Sequence, residues 1–346
     1  MQENRYLKWL ASQTKSIYWH DSAVRAEQLE GFSNGASGMT TNPFLINSTL
    51  RSDTVFWKER LASLPLGLKG TEKVQALVQC VTGFYAEEVR PVFEQGAVGK
   101  GFVCAQTNPN NTGDAAYMIA QAKILASWAP NIVVKLPATR AGIEAYEECT
   151  ALGMNVAATV SFTVPQVLAV GEARAKGKAR AERNGVKPGL GIAVLMVGRL
   201  DDYLRDVAHD SCPEVGEDCI VQAGTACIKR AYQIFNERSY DAFLMPAGCR
   251  GANHIVDLAG ANMIMSIAPK IAKMLVDVDV FEERIDVPVD SQIIDRLMKM
   301  REFRKAYEPD GMKPEEFITF GSTNRTTTQF IECGWNPIAD FNYEKV

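Results

Sequence analysis

Residues 131–139, Asn131-Ile132-Val133-Val134-Lys135-Leu136-Pro137-Ala138-Thr139, decide how the rest of the chain is read. A short run of β-branched and apolar residues has the pattern of a strand covered on both faces. Pro137 cannot donate to a ladder, so the strand stops there. Lys135 is therefore expected inside the fold, at the C-terminal end of a buried strand. Burial disfavours an ammonium, and a neutral amine is a nucleophile for carbonyl carbon. Lys135 is on that ground a Schiff-base candidate. The segment alone favours the ordinary reading, a lysine that snorkels from the strand end or pairs with a carboxylate, so the decision rests on what surrounds it.

Outward from this strand, the chain reads as strand followed by helix, repeatedly. Upstream, 16–19 reads as a first strand running into His20-Asp21, with a helix over 23–29. The stretch 38–43, GMTTNP, reads as a second strand ending in a proline turn, and 74–84 is the clearest part of the long helical region after it. Residues 101–106 form a third strand, and 108–112, NPNNT, supply turn and capping residues before a helix to about 128. The Lys135 strand is fourth, followed by a helix over 141–152. Further units pair 155–162 with 164–178, 190–197 with 224–235, 241–245 with 250–258, and 262–267 with 268–276. Eight such units predict an α/β chain closed as a (β/α)8 barrel (the TIM-barrel architecture). No G-x-G-x-x-G follows a strand, which removes the main argument for an open dinucleotide-binding sheet. The barrel domain is expected over 1–282, and 283–346 as a turn-rich C-terminal extension that packs on or caps it.

Composition narrows the function. With 346 residues and 47% hydrophobic content, the chain can bury a large core. A formal net charge of -4 with 23% charged residues leaves no footprint for nucleic acid or an anionic membrane. No apolar run is long enough to span a bilayer, and 1–21 has no secretory h-region. The eight cysteines contain no C-x-x-C pair and sit mostly in apolar surroundings, so a reduced, cytoplasmic protein is expected. The three histidines (His20, His209, His254) are not at metal-ligand spacing, and no metal site is expected. Six Lys or Arg between 172 and 188 read as a solvated helix face.

In such a barrel the chemistry gathers at the C-terminal strand ends. The polar residues expected there are Asp21, Asn42, Gln106, Lys135, Thr159, Arg199 and Arg250. Two guanidiniums near Lys135 disfavour its ammonium and match the oxygens of a phosphate. Asp21 can take a proton from a substrate hydroxyl during carbon–carbon cleavage. Each also has an ordinary role open to it. Asp21 can cap the helix at 23, Asn42 can serve the turn before Pro43, and Thr159 can be strand filler. Arg199 can pair with Asp201 or Asp202, and Arg250 can pair locally.

The chain resembles the transaldolase family of class I, Schiff-base aldolases. The motifs that carry the resemblance are GMTTNPFL at 38–45, NIVVKLPATRAGIEA at 131–145, ALGMNVAATVSF at 151–162, VGR at 197–199 and AGCR at 247–250. The resemblance implies a (β/α)8 barrel whose fourth strand carries the imine-forming lysine, Lys135, with Asp21 as proton shuttle. It places Asn42 and Thr159 around the imine, and gives the substrate phosphate to Arg199 and Arg250. Such enzymes move a dihydroxyacetone unit from a ketose phosphate to an aldose phosphate, without cofactor or metal. Three positions depart from the pattern. Gln106 replaces a catalytic glutamate, within Cys-Ala-Gln-Thr, as in the fructose-6-phosphate aldolase branch. Val194 replaces a serine, and Met196 an aromatic residue. The alternatives that follow are an aldolase releasing free dihydroxyacetone and a non-catalytic barrel that binds sugar phosphates. The expected partner is a small sugar phosphate or other anionic ketose, with the tail as a candidate interface between copies of the chain.

Overall fold

The computed structural model describes residues 3–346. Its strands are β1 (Ile17–His20), β2 (Val103–Gln106), β3 (Ile132–Pro137), β4 (Val156–Thr159), β5 (Gly191–Leu195), β6 (Phe243–Pro246) and β7 (Ile264–Ile267). Every pairing is parallel, and helices return the chain between successive strands. The ladder runs from β7 to β1, then through Met39 to β2 and on in order to β6. β6 packs beside β7 without ladder bonds between them among the described residues. Counting the Met39 position, eight strand positions surround one core.

The second expected strand shrinks to that single position. Met39 bridges His20 on one side and Val103 on the other. The next residues turn to other partners: the Thr41 hydroxyl donates to the Cys104 carbonyl at 2.6 Å, and Asn42 caps a helix over Pro43–Ser52. Asn42 accepts from the Leu45 N–H at 3.0 Å, and Pro43 sits where a missing N–H costs nothing. Capping ends the ladder before a strand can form.

The strand carrying Lys135 is covered along its whole length and feeds straight into the helix Arg140–Ala151. Thr139 caps this helix, its hydroxyl oxygen accepting from the Gly142 N–H at 3.0 Å. A Cβ on Gly142 would stand 1.8 Å from the Pro137 carbonyl oxygen, two residues past Lys135. Gly142→Ala gains helix propensity of about 1 kcal/mol, yet it forces strand end and helix apart, an overpacking that costs about 1–3 kcal/mol. The urea midpoint is expected to fall with an unchanged slope; a midpoint at or above wild type would show that the contact relaxes freely.

The basic stretch at 172–188 is less solvated than its sequence implies. Arg174 and Lys178 both reach Asp241 at 3.1 and 2.8 Å, and Arg180 reaches Glu147 and Glu148 at 3.3 and 2.6 Å. These cations tie the helix Val164–Arg183 to its neighbours.

The C-terminal extension is mostly helical where turns were expected. The Gly321-Ser322-Thr323 turn motif is the first turn of a helix over Gly321–Phe330, which continues into a wider π turn at Ile331–Trp335. One face of this segment meets the helix bearing Arg199: Arg325 pairs with Asp206 at 2.5 Å, and Phe320 packs edge-on against Tyr203. Its other end lies on the Asn42-Pro43 corner, where a Cβ on Gly334 would stand 2.7 Å from the Phe44 nitrogen. The segment thus spans from one strand end to another.

Candidate active site

Parallel register puts residues opposite each other on one face, with alternate residues repeating that face. Lys135 is opposite Gln106 on β2 and Ala157 on β4, and Pro137 is opposite Thr159. Gln106, Lys135 and Thr159 therefore share one face at the C-terminal strand ends. On the other side of the ring, Trp19 is opposite Ser266, so Asp21 and Ser266 share a face as well.

Lys135 is 6% exposed, and its Nζ donates to the Thr41 carbonyl at 3.3 Å. It neither snorkels nor pairs: the lysines in ion pairs among the described residues are Lys8, Lys178 and Lys305. A neutral carbonyl is thus its named partner. Beside it, the Gln106 side-chain oxygen is buried and has no partner. An unpaired buried amide oxygen carries a cost that a bound hydroxyl or water would remove.

Asp21 follows directly on β1, and its backbone N–H donates to the Ile267 carbonyl at 3.0 Å. It does not cap the following helix, Arg25–Ser33, whose cap position is Val24. Its Oδ1 accepts from the Thr40 hydroxyl at 2.6 Å, and the Thr40 oxygen lies 2.8 Å from that of Ser266. A carboxylate only accepts, so Thr40 spends its proton on Asp21 and Ser266 donates to Thr40. The charges of Asp21 and Lys135 both act on one buried thiol. Burial pushes the Cys104 thiol up to about 11, with the Lys135 charge drawing it down and the Asp21 charge pushing it up.

Thr159 is 1% exposed at the end of β4. The next residue, Val160, has φ 54, a conformation that costs a β-branched residue on the order of 1–3 kcal/mol. Neighbouring bonds impose it. The Ser161 hydroxyl donates to the Val194 carbonyl, and the buried Gln166 amide donates to the Ala138 and Val160 carbonyls at 3.1 and 3.4 Å. The strain fixes the chain where Thr159 leaves the strand.

The two arginines do not pair as their sequence neighbours suggest. Arg250 takes Asp202, with Nε 2.7 Å from Oδ2. Asp201 is buried against His254, with Nε2 2.8 Å from Oδ2. Arg199 has neither; its Nη1 donates to the Gln329 side-chain oxygen at 2.5 Å, and its guanidinium stands 5.8 Å from the centre of the Phe330 ring. The Arg199 pKa is held below its ordinary value by burial and then by the Arg250 charge, against the pull of Asp21 and Asp202. The charges of Arg250 and Asp21 thus both act on Arg199. Asn42 spends its side-chain oxygen on Leu45, leaving the amide NH2 with no bond to a described residue.

All seven expected residues thus lie at strand ends or in the segments after them. Sequence reading missed Thr40, Ser266, His254 and Gln329. Thr40 stands inside the quoted GMTTNP motif, so its place was legible there. Ser266 and Gln329 are joined to the site by long-range contacts, and His254 by a bond to the Arg250 backbone and a long-range one to Asp201. No group of three His, Cys, Asp or Glu is placed to hold a metal ion among the described residues. No helix among them is long and apolar enough to cross a membrane.

The arrangement is a buried amine, a carboxylate supported by two hydroxyls, an amide oxygen without a partner, and two neighbouring guanidiniums. A family profile described as Transaldolase/Fructose-6-phosphate aldolase matches residues 18–316. The protein named "Transaldolase 1" in Streptomyces avermitilis is 31% identical over 173 residues, covering 48% of this chain and 45% of that protein. "Transaldolase" of Thiobacillus denitrificans is 31% identical over 173 residues, covering 49% and 48%. "Probable transaldolase 2" of Listeria monocytogenes is 38% identical over 93 residues, covering 27% and 36%. The matched part spans about half the length of the first two relatives.

Proposed function

We propose, from the premise that this chain belongs to the transaldolase/fructose-6-phosphate aldolase family, that it transfers a ketol unit between phosphorylated sugars through an imine on Lys135. The observation that carries this reading is a lysine buried at a parallel strand end with a carbonyl, not a carboxylate, as its partner. A lysine kept for structure would be paired or would reach solvent.

In this reading the Lys135 amine adds to the ketose carbonyl carbon, and loss of water gives the imine. Asp21 takes the proton from the hydroxyl on the carbon beyond the bond to be cleaved. That bond breaks, the aldose leaves as an aldehyde, and the electron pair passes into the imine as an enamine. An acceptor aldehyde then takes the three-carbon unit, Asp21 returns the proton, and water releases the product. Thr40 and Ser266 hold Asp21 at the right angle for both transfers. Gln106 can orient a water with its amide oxygen, although it cannot carry a proton. Arg199 and Arg250 take the phosphate.

Two residues favour a second reading, an aldolase in which free dihydroxyacetone leaves. Gln106 has no proton to relay, and Val194 offers no hydroxyl to the donor end. The retained arginine pair, suited to a phosphorylated acceptor, places transfer first. The reaction is assigned to the cytoplasm, in keeping with eight unbonded cysteines.

Borohydride reduction with fructose 6-phosphate, followed by peptide mapping, tests the reading. A three-carbon adduct on Lys135 is expected. Product formed without an acceptor aldehyde would favour the aldolase. Folded protein that gives no adduct with any anionic ketose would leave a barrel that only binds sugar phosphates.

Asp21→Asn separates the two halves of the chemistry. Asparagine keeps an oxygen for the Thr40 hydroxyl and loses the base. The turnover rate is expected to fall about 10²–10⁴-fold, while borohydride still traps an adduct that retains the whole sugar. A three-carbon adduct formed at the wild-type rate would remove Asp21 from the cleavage step.

A further inference from the structure

The family match ends at residue 316, and the segment beyond it meets the candidate site beside Arg199 as well as at the Asn42-Pro43 corner. Arg199 is a half-buried guanidinium on which the charge of a second guanidinium, Arg250, acts. Its hydrogen-bond partner through the side chain is a neutral amide, Gln329, and the next residue lays its ring beside the same cation. Arg250 has a carboxylate, Asp202, but Arg199 forms no ion pair among the described residues. The charges of Asp21 and Asp202 act on Arg199, but neither carboxylate is bonded to it, and Nε and Nη2 of its fork have no hydrogen bond among the described residues. Those half-buried donors suit an anion.

Gln329 is positioned to do more than cover Arg199. An amide has an acceptor and two donors. Its oxygen is engaged by Arg199, so its NH2 group lies beside a guanidinium that an anion would approach. The backbone is held there from three sides. Arg325 pairs with Asp206 four residues earlier, Phe330 is 1% exposed, and the π turn at Ile331–Trp335 presses Gly334 onto the Pro43-Phe44 backbone. π turns within helices are frequent at functional sites.

We propose that Gln329 is a specificity-determining residue, a third ligand of the substrate anion that completes the subsite of Arg199 and Arg250. This rests on the reading of those arginines as the phosphate site. In the unliganded protein the amide oxygen holds the Arg199 fork in place. With the anion bound, the same fork reaches the anion's oxygens and the Gln329 NH2 donates to one of them. The subsite is thus built from the barrel and from a segment outside the family match, and the preference for phosphorylated over uncharged ketoses depends on both.

The test uses the full chain with Gln329→Ala and Gln329→Glu, fructose 6-phosphate against fructose, and inorganic phosphate as a non-reacting probe. In the alanine variant the KM preference for the phosphorylated sugar is expected to fall about tenfold, and phosphate to bind about tenfold more weakly by calorimetry. The glutamate variant places a carboxylate on Arg199, which excludes the anion, and its loss should exceed that of alanine. Equal loss for both sugars would assign Gln329 a merely structural role and overturn the proposal. So would phosphate binding that neither variant changes. If wild type gives no Lys135 adduct, the imine reading fails, while the phosphate measurement still decides whether Gln329 serves an anion subsite.

Discussion

Lys135→Met is expected to abolish imine formation and to lower turnover on the order of 10⁵-fold, the scale on which a positioned nucleophile acts. Methionine matches the lysine in length and flexibility, so the β3 backbone and its partners Gln106 and Ala157 keep their register. The Nζ–Thr41 bond is lost, but so is the cost of an amine 6% exposed with no counter-ion. Trading a buried ionisable group for an apolar one of equal volume is often neutral or stabilising. The variant should therefore match or exceed wild type in unfolding free energy by about 1 kcal/mol. Loss of activity with a gain in stability would mark Lys135 as a residue kept for chemistry at the fold's expense. Paired denaturation and borohydride-trapping measurements check both halves. Activity above about a hundredth of wild type would mean that the amine is not the nucleophile.

The lysine strand was legible because its signal is local. A β-branched run with a proline at its end describes a buried strand without reference to distant residues, and the structure places it over Ile132–Pro137. The order of strand and helix was legible for the same reason. The second strand was misread because Thr41 and Asn42 spend their side chains on Cys104 and Leu45. Those bonds depend on where β2 and the next helix lie. The partners of the two arginines were also misjudged. Asp201 and Asp202 stand two and three residues from Arg199, but a helix turns Asp201 toward His254 and Asp202 toward Arg250. The C-terminal extension carries turn residues that serve helix starts in the fold. Its helices are set by tertiary contacts, such as Arg51 to the Pro337 carbonyl at 3.0 Å and Lys73 to the Ala339 carbonyl at 2.6 Å. No local pattern encodes those.

His254, silent in the sequence, carries the largest structural prediction. Its Nδ1 accepts the Arg250 backbone N–H at 3.0 Å, so the ring proton must sit on Nε2, aimed at Asp201. Asp201 in turn accepts the Gly224 N–H at 2.8 Å with its other oxygen. The pair is buried, with side chains 2% exposed on each side. A chain of three bonds thus fixes the peptide that launches Arg250. Asp201→Ala strips acceptors from two buried donors and is expected to cost about 3–5 kcal/mol of unfolding free energy. Asp201→Asn is the sharper test, because it keeps the size of the side chain. An asparagine that keeps its oxygen on Gly224 turns its NH2 toward the Nε2–H of His254, donor against donor. If the ring shifts its proton to Nδ1, the conflict moves to the Arg250 N–H instead. Either way one buried donor is unpaired, at a cost of about 1–3 kcal/mol. The KM for the phosphorylated sugar should rise with it, as Arg250 loses its anchor. An asparagine variant as stable as wild type, with an unchanged KM, would show that the pair neither holds the fold nor positions the arginine.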